Sequence, residues 1–251
     1  MNREDGGESM KSIKTKIIAA VIFCSLISAG ICGAISIANA SKNYEADSKQ
    51  EMLLTAQNQV LELNASMEQV EQSVDTLYDL ALGRLDDVEK FKTSSEYVDS
   101  YTEGMEDVML QTATHTKGAL TAYIRYNPEF TEPTSGIFMT RDDSNSAFSI
   151  VTPTDFSMYD PSDVEHVGWY YIPVENKQAT WMTPYLNSNI NVYMVSYVVP
   201  IYVDGESIGI VGMDIDFSVF TDMVDESDIF TTGYAFLSDA DGNIVYHKGL
   251  D

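Results

Sequence analysis

The sequence predicts an α+β protein in which an apolar helix and a long amphipathic helix lead into an antiparallel sheet. Three observations carry this. Residues Ile17–Ala40 contain no charged side chain. Apolar residues then recur every seven positions from Leu53 to Ala81. Further on, two β-rich runs, Asn191–Val203 and Ser207–Phe217, flank Asp204-Gly205, a dipeptide that marks a tight hairpin.

The apolar stretch comes first. At about 1.5 Å per residue it reaches about 36 Å, enough to cross a hydrocarbon core of about 30 Å with some tilt. Lys11, Lys14 and Lys16 precede it, and the positive-inside rule then places the N-terminus in the cytoplasm and the chain from Ser41 outside. Ala38-Asn39-Ala40 resembles a signal-peptidase site. The stretch is far longer than the roughly 7–15 residues of a signal peptide's apolar region, which favours an uncleaved anchor.

Charge separates the two sides. Of 14 Lys and Arg and 39 Asp and Glu, Arg3, Lys11, Lys14 and Lys16 face only Glu4, Asp5 and Glu8 before the apolar stretch. The remainder is strongly acidic, which argues against nucleic acid as a partner because phosphate binding needs a basic face. Cys24 and Cys32 both lie in the apolar stretch. Eight residues apart on one helix, about 12 Å of rise, they are too distant to bridge.

From Lys42 to about Leu82 a long helix is expected. Leu53, Val60, Met67, Val74 and Ala81 form one row and Ala56, Leu63, Val70 and Leu77 a second, offset by three. This is a heptad seam. It serves equally to pack on the chain's own domain or to pair with a second copy as a homodimer stalk. Gly83-Arg84 and Asp86-Asp87 end the helix, and a second helix is expected over Ser95–Thr114. Leu120–Tyr126 and Gly136–Thr140 read as strands. Arg141–His166 reads as a long polar loop with little periodicity, the kind that often forms a binding loop. A short helix over Ser218–Val224 follows the DG hairpin. Thr232–Ser238, Asp241-Gly242 and Ile244–His247 read as another hairpin, expected to begin a new sheet that a longer chain would complete.

This order of elements, with Gly168-Trp169-Tyr170-Tyr171, Trp181-Met182-Thr183-Pro184-Tyr185 and Gly209-Ile210-Val211-Gly212-Met213-Asp214-Ile215-Asp216, resembles the double Cache family. Its members are extracytoplasmic sensor domains of bacterial chemoreceptors, histidine kinases and diguanylate cyclases. The resemblance implies a PAS-like sheet module that binds ligand, followed by the start of a second PAS-like module. It divides the chain into a cytoplasmic N-terminus (1–16), a transmembrane helix (17–40), a long stalk and second helix (41–115), a membrane-distal ligand-binding module (116–228) and the beginning of a membrane-proximal module (229–251).

The amino-acid-sensing branch of that family uses an Arg-x-Trp-Tyr motif, a later Pro-Tyr and an aspartate in a Gly-hydrophobic-Asp-Ile strand. Trp169, Tyr170, Tyr185 and Asp214 match, and Tyr123 joins them as a candidate. The motif's arginine is replaced by Val167. In the branch that arginine holds the ligand carboxylate by charge-assisted bonds. Its loss leaves two openings: the site takes an amine, or Arg125 supplies the carboxylate clamp from the sheet. The implied ligand is an amino acid, an amine or a small carboxylate, in a membrane-bound homodimeric receptor. A kinase or cyclase output, or an anchored surface protein with no small ligand, is the alternative.

Enzyme signatures fail. No GxSxG or P-loop spacing occurs. His115, His166 and His247 are scattered, with no metal-binding pair. Asp239-Ala240-Asp241-Gly242-Asn243 puts its glycine at the fourth position, where a calcium loop needs it at the sixth. No catalytic residue, metal or cofactor is expected.

Overall fold

The computed structural model describes residues 13–143, 146–187, 192–227 and 233–250. The chain divides into two units, residues 1–56 and 57–251.

The first unit is helical throughout its described part and holds the N-terminal portion of α1 (Ile13–Arg84). This helix contains a window apolar enough to cross a membrane, with a mean hydropathy of 2.4. Arg84 is its last residue, so the helix runs through Gly83-Arg84 and ends two residues beyond the expected Leu82.

In the second unit, Val70, Val74, Leu77 and Ala81 of α1 are buried, whereas Val60 is 53% exposed. The C-terminal half of the seam therefore packs on its own domain. After α1 come α2 (Val88–Thr93), α3 (Ser95–His115) and the strands β1 (Ala119–Tyr126), β2 (Gly136–Thr140) and β3 (Ser149–Ile150). Helix α4 (Val164–Asn176) and strands β4 (Thr180–Trp181), β5 (Tyr185–Asn187), β6 (Val192–Val203) and β7 (Glu206–Asp216) follow, then α5 (Ser218–Asp225) and a hairpin of β8 (Phe236–Ser238) and β9 (Ile244–His247).

Two expectations need correcting. Between the two predicted helices lies α2, started by Asp87, whose side chain accepts from the Lys90 amide. The polar break is thus a helix cap, as expected of an Asp ahead of free helical N–H groups. Arg141–His166 is also not a plain loop. It holds β3, a 3-10 turn at Phe156–Met158 and the start of α4. Gly168 and Pro173, both poor helix formers, mask α4 in the sequence. The helix forms because Asp163 caps its first turn and Val167, Tyr170 and Pro173 bury one side of it. Residues Asn191 and Thr232, the expected starts of two strands, lie outside the described residues.

The main sheet has the order β3-β2-β1-β7-β6-β4, with β5 also paired to β6. The long β6–β7 hairpin turns at Asp204-Gly205, where φ is +52° and +87°. Two positive φ values are what a type I′ turn demands, and Gly205 adopts them without steric cost. Alternation along β1 and β7 sorts side chains to two faces. Ala122, Ile124, Val211 and Met213 meet Val74, Leu77, Met105 and Met109 of the helices in one core. Tyr123, Val198 and Ile210 meet Phe156, Val167 and Tyr170 in a second core on the opposite face. Leu237 and Tyr246 of the β8–β9 hairpin pack against the helical core, and the Tyr246 hydroxyl donates to Asp225 at 2.8 Å.

Candidate ligand-binding site

Asp214, Tyr123 and Arg125 lie on the α4 face of the sheet, in three rows set by strand register, with Trp169 and Tyr170 on α4 and Tyr185 on β5. Thr121, Asp214 and Ser196 stand abreast on β1, β7 and β6. Tyr123, Gly212 and Val198 form the next row, and Arg125, Ile210 and Pro200 the one after.

Asp214 is 5% exposed. Its carboxylate accepts from the hydroxyls of Thr121 and Tyr123, the latter at 3.1 Å. Ser196 Oγ is buried beside it without a hydrogen-bond partner and also favours the ionised carboxyl. Burial nonetheless dominates and raises the Asp214 carboxyl above its ordinary value of 3.8. None of the ion pairs among the described residues includes Asp214. Tyr185, 40% exposed as a residue, has its hydroxyl end against this carboxylate; burial and the Asp214 charge both raise that hydroxyl's pKa.

Gly212 makes room for Tyr123. A Cβ there would meet the Tyr123 ring at 2.6 Å. The ring stacks on Phe138, with centroids 5.5 Å apart, and receives Trp169 edge-on at 5.1 Å. The Trp169 indole is oriented by its own helix, since Nε1 donates to the His166 carbonyl at 2.9 Å.

One row further along, Arg125 is fully buried. Its Nε donates to the Ser135 carbonyl at 3.1 Å, and Nη2 donates to the Pro133 and Thr154 carbonyls at 2.8 and 2.7 Å. The guanidinium carbon lies 4.3 Å from the centre of the Phe156 ring. Burial lowers its pKa to about 10, so it stays charged at neutral pH. Phe156 also touches Tyr170, with ring centroids 4.7 Å apart.

The structure thus brings Tyr123, Tyr185 and Asp214 together, with Trp169 against Tyr123. It places Arg125 and Tyr170 around Phe156, two rows from Asp214. Val167 is fully buried in the same core, an apolar contact where the resembling branch has its arginine. Thr121, Ser196 and Phe156 lie against the candidate residues and escape the motif-based reading. Thr121 lies two residues before Tyr123 on β1 and is legible by alternation alone. A cavity of about 510 Å³ opens beside Thr116, Gly118, Arg141 and Asp216, at the Asp214 end of β7, and holds none of the six candidates.

The Cache domain family, in its dCache form, matches residues 40–250. The chain belongs to this family. A second similarity is to the methyl-accepting chemotaxis protein PctB of Pseudomonas aeruginosa, 29% identical over 83 residues; the match spans 33% of this chain and 13% of that receptor. Among solved structures, the Campylobacter jejuni chemoreceptor Tlp3 sensory domain aligns with 18% identity and a TM-score of 0.48, over 78% of this chain and 73% of that one. The extracellular domain soHK1S-Z6, described as part of a histidine kinase, aligns with 17% identity and a TM-score of 0.50, over 77% and 66%. Its likeness is one of fold. The Cache assignment agrees with the mixed architecture of helices and antiparallel sheet.

Proposed function

We propose that this Cache chain is the extracytoplasmic sensing region of a membrane receptor, and that it binds a small ligand through a protonated amine placed at Asp214. One observation carries the reading. Asp214 is a buried carboxylate surrounded by hydroxyls, with no cationic partner among the described residues. A buried charge needs a partner, and a ligand ammonium supplies one. Tyr123, Tyr185 and Trp169 add aromatic surface beside it, which favours a cation further.

In this reading residues 17–40 anchor the chain, the N-terminus is cytoplasmic, 116–228 form the ligand-binding module and 229–251 begin a second module. The exposed half of the α1 seam pairs with a second copy. The sensor performs no chemistry on its ligand. The partial likeness to a methyl-accepting chemotaxis protein supports a chemoreceptor output. Ligand signals by binding one conformation of the module better than the other, as α4 and the Thr154–Phe156 segment tighten on the sheet.

The test is a thermal-shift titration of the full chain in detergent with n-butylamine and n-pentylamine, repeated on Asp214→Asn. At 100 times its dissociation constant a ligand adds about 2.7 kcal/mol. The expected result is a saturable shift that Asp214→Asn abolishes. A shift unchanged in that variant, or no saturable shift from any compound that carries a primary amine, amino acids included, overturns the reading and favours a surface protein without a small ligand.

A further inference from the structure

Two opposite charges lie unpaired on one sheet face. Asp214 holds the negative one. Arg125 holds the positive one, and it too is absent from the ion pairs among the described residues. Asp155 adds a favourable charge at longer range, but its carboxylate is engaged by Ser157. The two charges do not neutralise each other, because Arg125 pairs in register with Ile210, four residues from Asp214 along β7. Four residues of strand span about 13 Å.

The Arg125 end is also incomplete. Backbone carbonyls take the Nε and Nη2 hydrogens. Nη1 is buried without a hydrogen-bond partner, and so is the Tyr170 hydroxyl. Both groups flank Phe156, and the Arg125 charge is felt at Tyr170. Two neighbouring buried donors without an acceptor are costly. The group that completes them is an acceptor, and beside a guanidinium a carboxylate is the strongest one.

Resting on the amine reading of Asp214, we infer that Arg125 Nη1 and the Tyr170 hydroxyl form a carboxylate subsite, so that the ligand is an ω-amino acid rather than an α-amino acid or a simple amine. The backbone positions that carry the two charges are about 13 Å apart along the sheet, and Arg125 is held at its end by the Pro133, Ser135 and Thr154 carbonyls. A chain of several methylenes bridges the two ends across Tyr123 and Trp169. An α-amino acid, with both charged groups on one carbon, reaches only one end. Arg125 is pre-organised for this role, since three of its five N–H groups are already fixed by backbone. The same bonds tie the β1–β2 connection and Thr154 together, so occupancy of Nη1 acts on the segment that covers the sheet.

The experiment is calorimetric titration of the full chain in detergent with γ-aminobutyrate, δ-aminovalerate, n-butylamine, n-pentylamine and α-aminobutyrate. The ω-amino acids are expected to bind at least tenfold more tightly than the amine of equal chain length and than α-aminobutyrate. Replacing Arg125 risks the fold, so the variant is Tyr170→Phe, which keeps the ring and removes the donor. It should weaken ω-amino acid binding roughly tenfold or more and leave the amines unchanged. Equal binding of amines and ω-amino acids, with Tyr170→Phe altering neither, overturns the carboxylate subsite alone and assigns the two donors to water. No binding by any of the five removes the amine reading as well.

Discussion

Thr121 and Asp214 face each other across β1 and β7 and hold each other twice. The Thr121 hydroxyl donates to the Asp214 carboxylate and accepts from the Asp214 backbone N–H at 3.2 Å. Thr121→Val removes both bonds at nearly constant volume. The expected cost is about 1.5–3 kcal/mol at neutral pH, the range for a hydrogen bond to a charged group. The cost should shrink in acid, where the carboxyl is protonated and needs less help. Urea melts at several pH values check this. Thr121→Ser should behave nearly as wild type.

Asp214 itself is expected to lower the stability of the ligand-free chain. Its folded-state pKa is raised above 3.8 by burial, so the native state binds more protons than the unfolded state in the interval between the two values. By linkage, stability falls as pH rises through that interval, and the penalty is complete above the folded pKa. Asp214→Asn should therefore raise Tm at neutral pH, with a gain that fades as pH falls through the folded pKa and is gone by about pH 4. A saturating amine should offset the same penalty in wild type. A Tm lowered at neutral pH by Asp214→Asn would show that the carboxylate is stabilised in the free protein.

Gly212 tests whether Tyr123 must lie across β7. An alanine Cβ at that position meets the Tyr123 ring at 2.6 Å, a distance that forces the ring to move. Overpacking of this kind costs typically about 1–3 kcal/mol. Moving the ring also breaks its bond to Asp214 and its contact with Trp169. Gly212→Ala should lose amine binding and shift the Trp169 fluorescence, both readable in one titration. Retained binding with unchanged fluorescence would mean that the ring adjusts without cost.

Much of this arrangement is legible in the sequence, and the parts that are not have identifiable causes. The predicted ends of β2 match those found, because Gly136 and the turn residues before it bound an apolar run. The β6–β7 hairpin is equally plain from Asp204-Gly205. Its register is not. Counting outward from the turn puts Val195 opposite Asp214, but a bulge between Ile201 and Tyr202 moves the pairing by one and puts Ser196 there. Gly209, a glycine inside a strand run with φ +155°, sits at that bulge and is its one local signal. Helix α4 is hidden for a different reason, since Gly168 and Pro173 argue against a helix that tertiary burial then stabilises. Arg125 could be singled out as a cation beside the site, but its three carbonyl partners come from loops whose course no periodicity encodes.

The α1 seam yields the last prediction, because the structure splits it in two. Leu77 has no exposed surface, whereas Val60 is 53% exposed, although both sit on the same heptad pattern. Leu77→Ala removes buried methylenes beside Met105 and Met109, at a cost of about 2–5 kcal/mol. Val60→Ala should leave unfolding of the single chain unchanged within about 0.5 kcal/mol. If the seam joins two copies, Val60→Ala will instead make Tm depend more steeply on protein concentration, since association contributes to stability by mass action. Melting curves over a hundredfold range of concentration separate the two cases. A Val60 variant that melts earlier at every concentration by the same amount would place that residue in the monomer's own core.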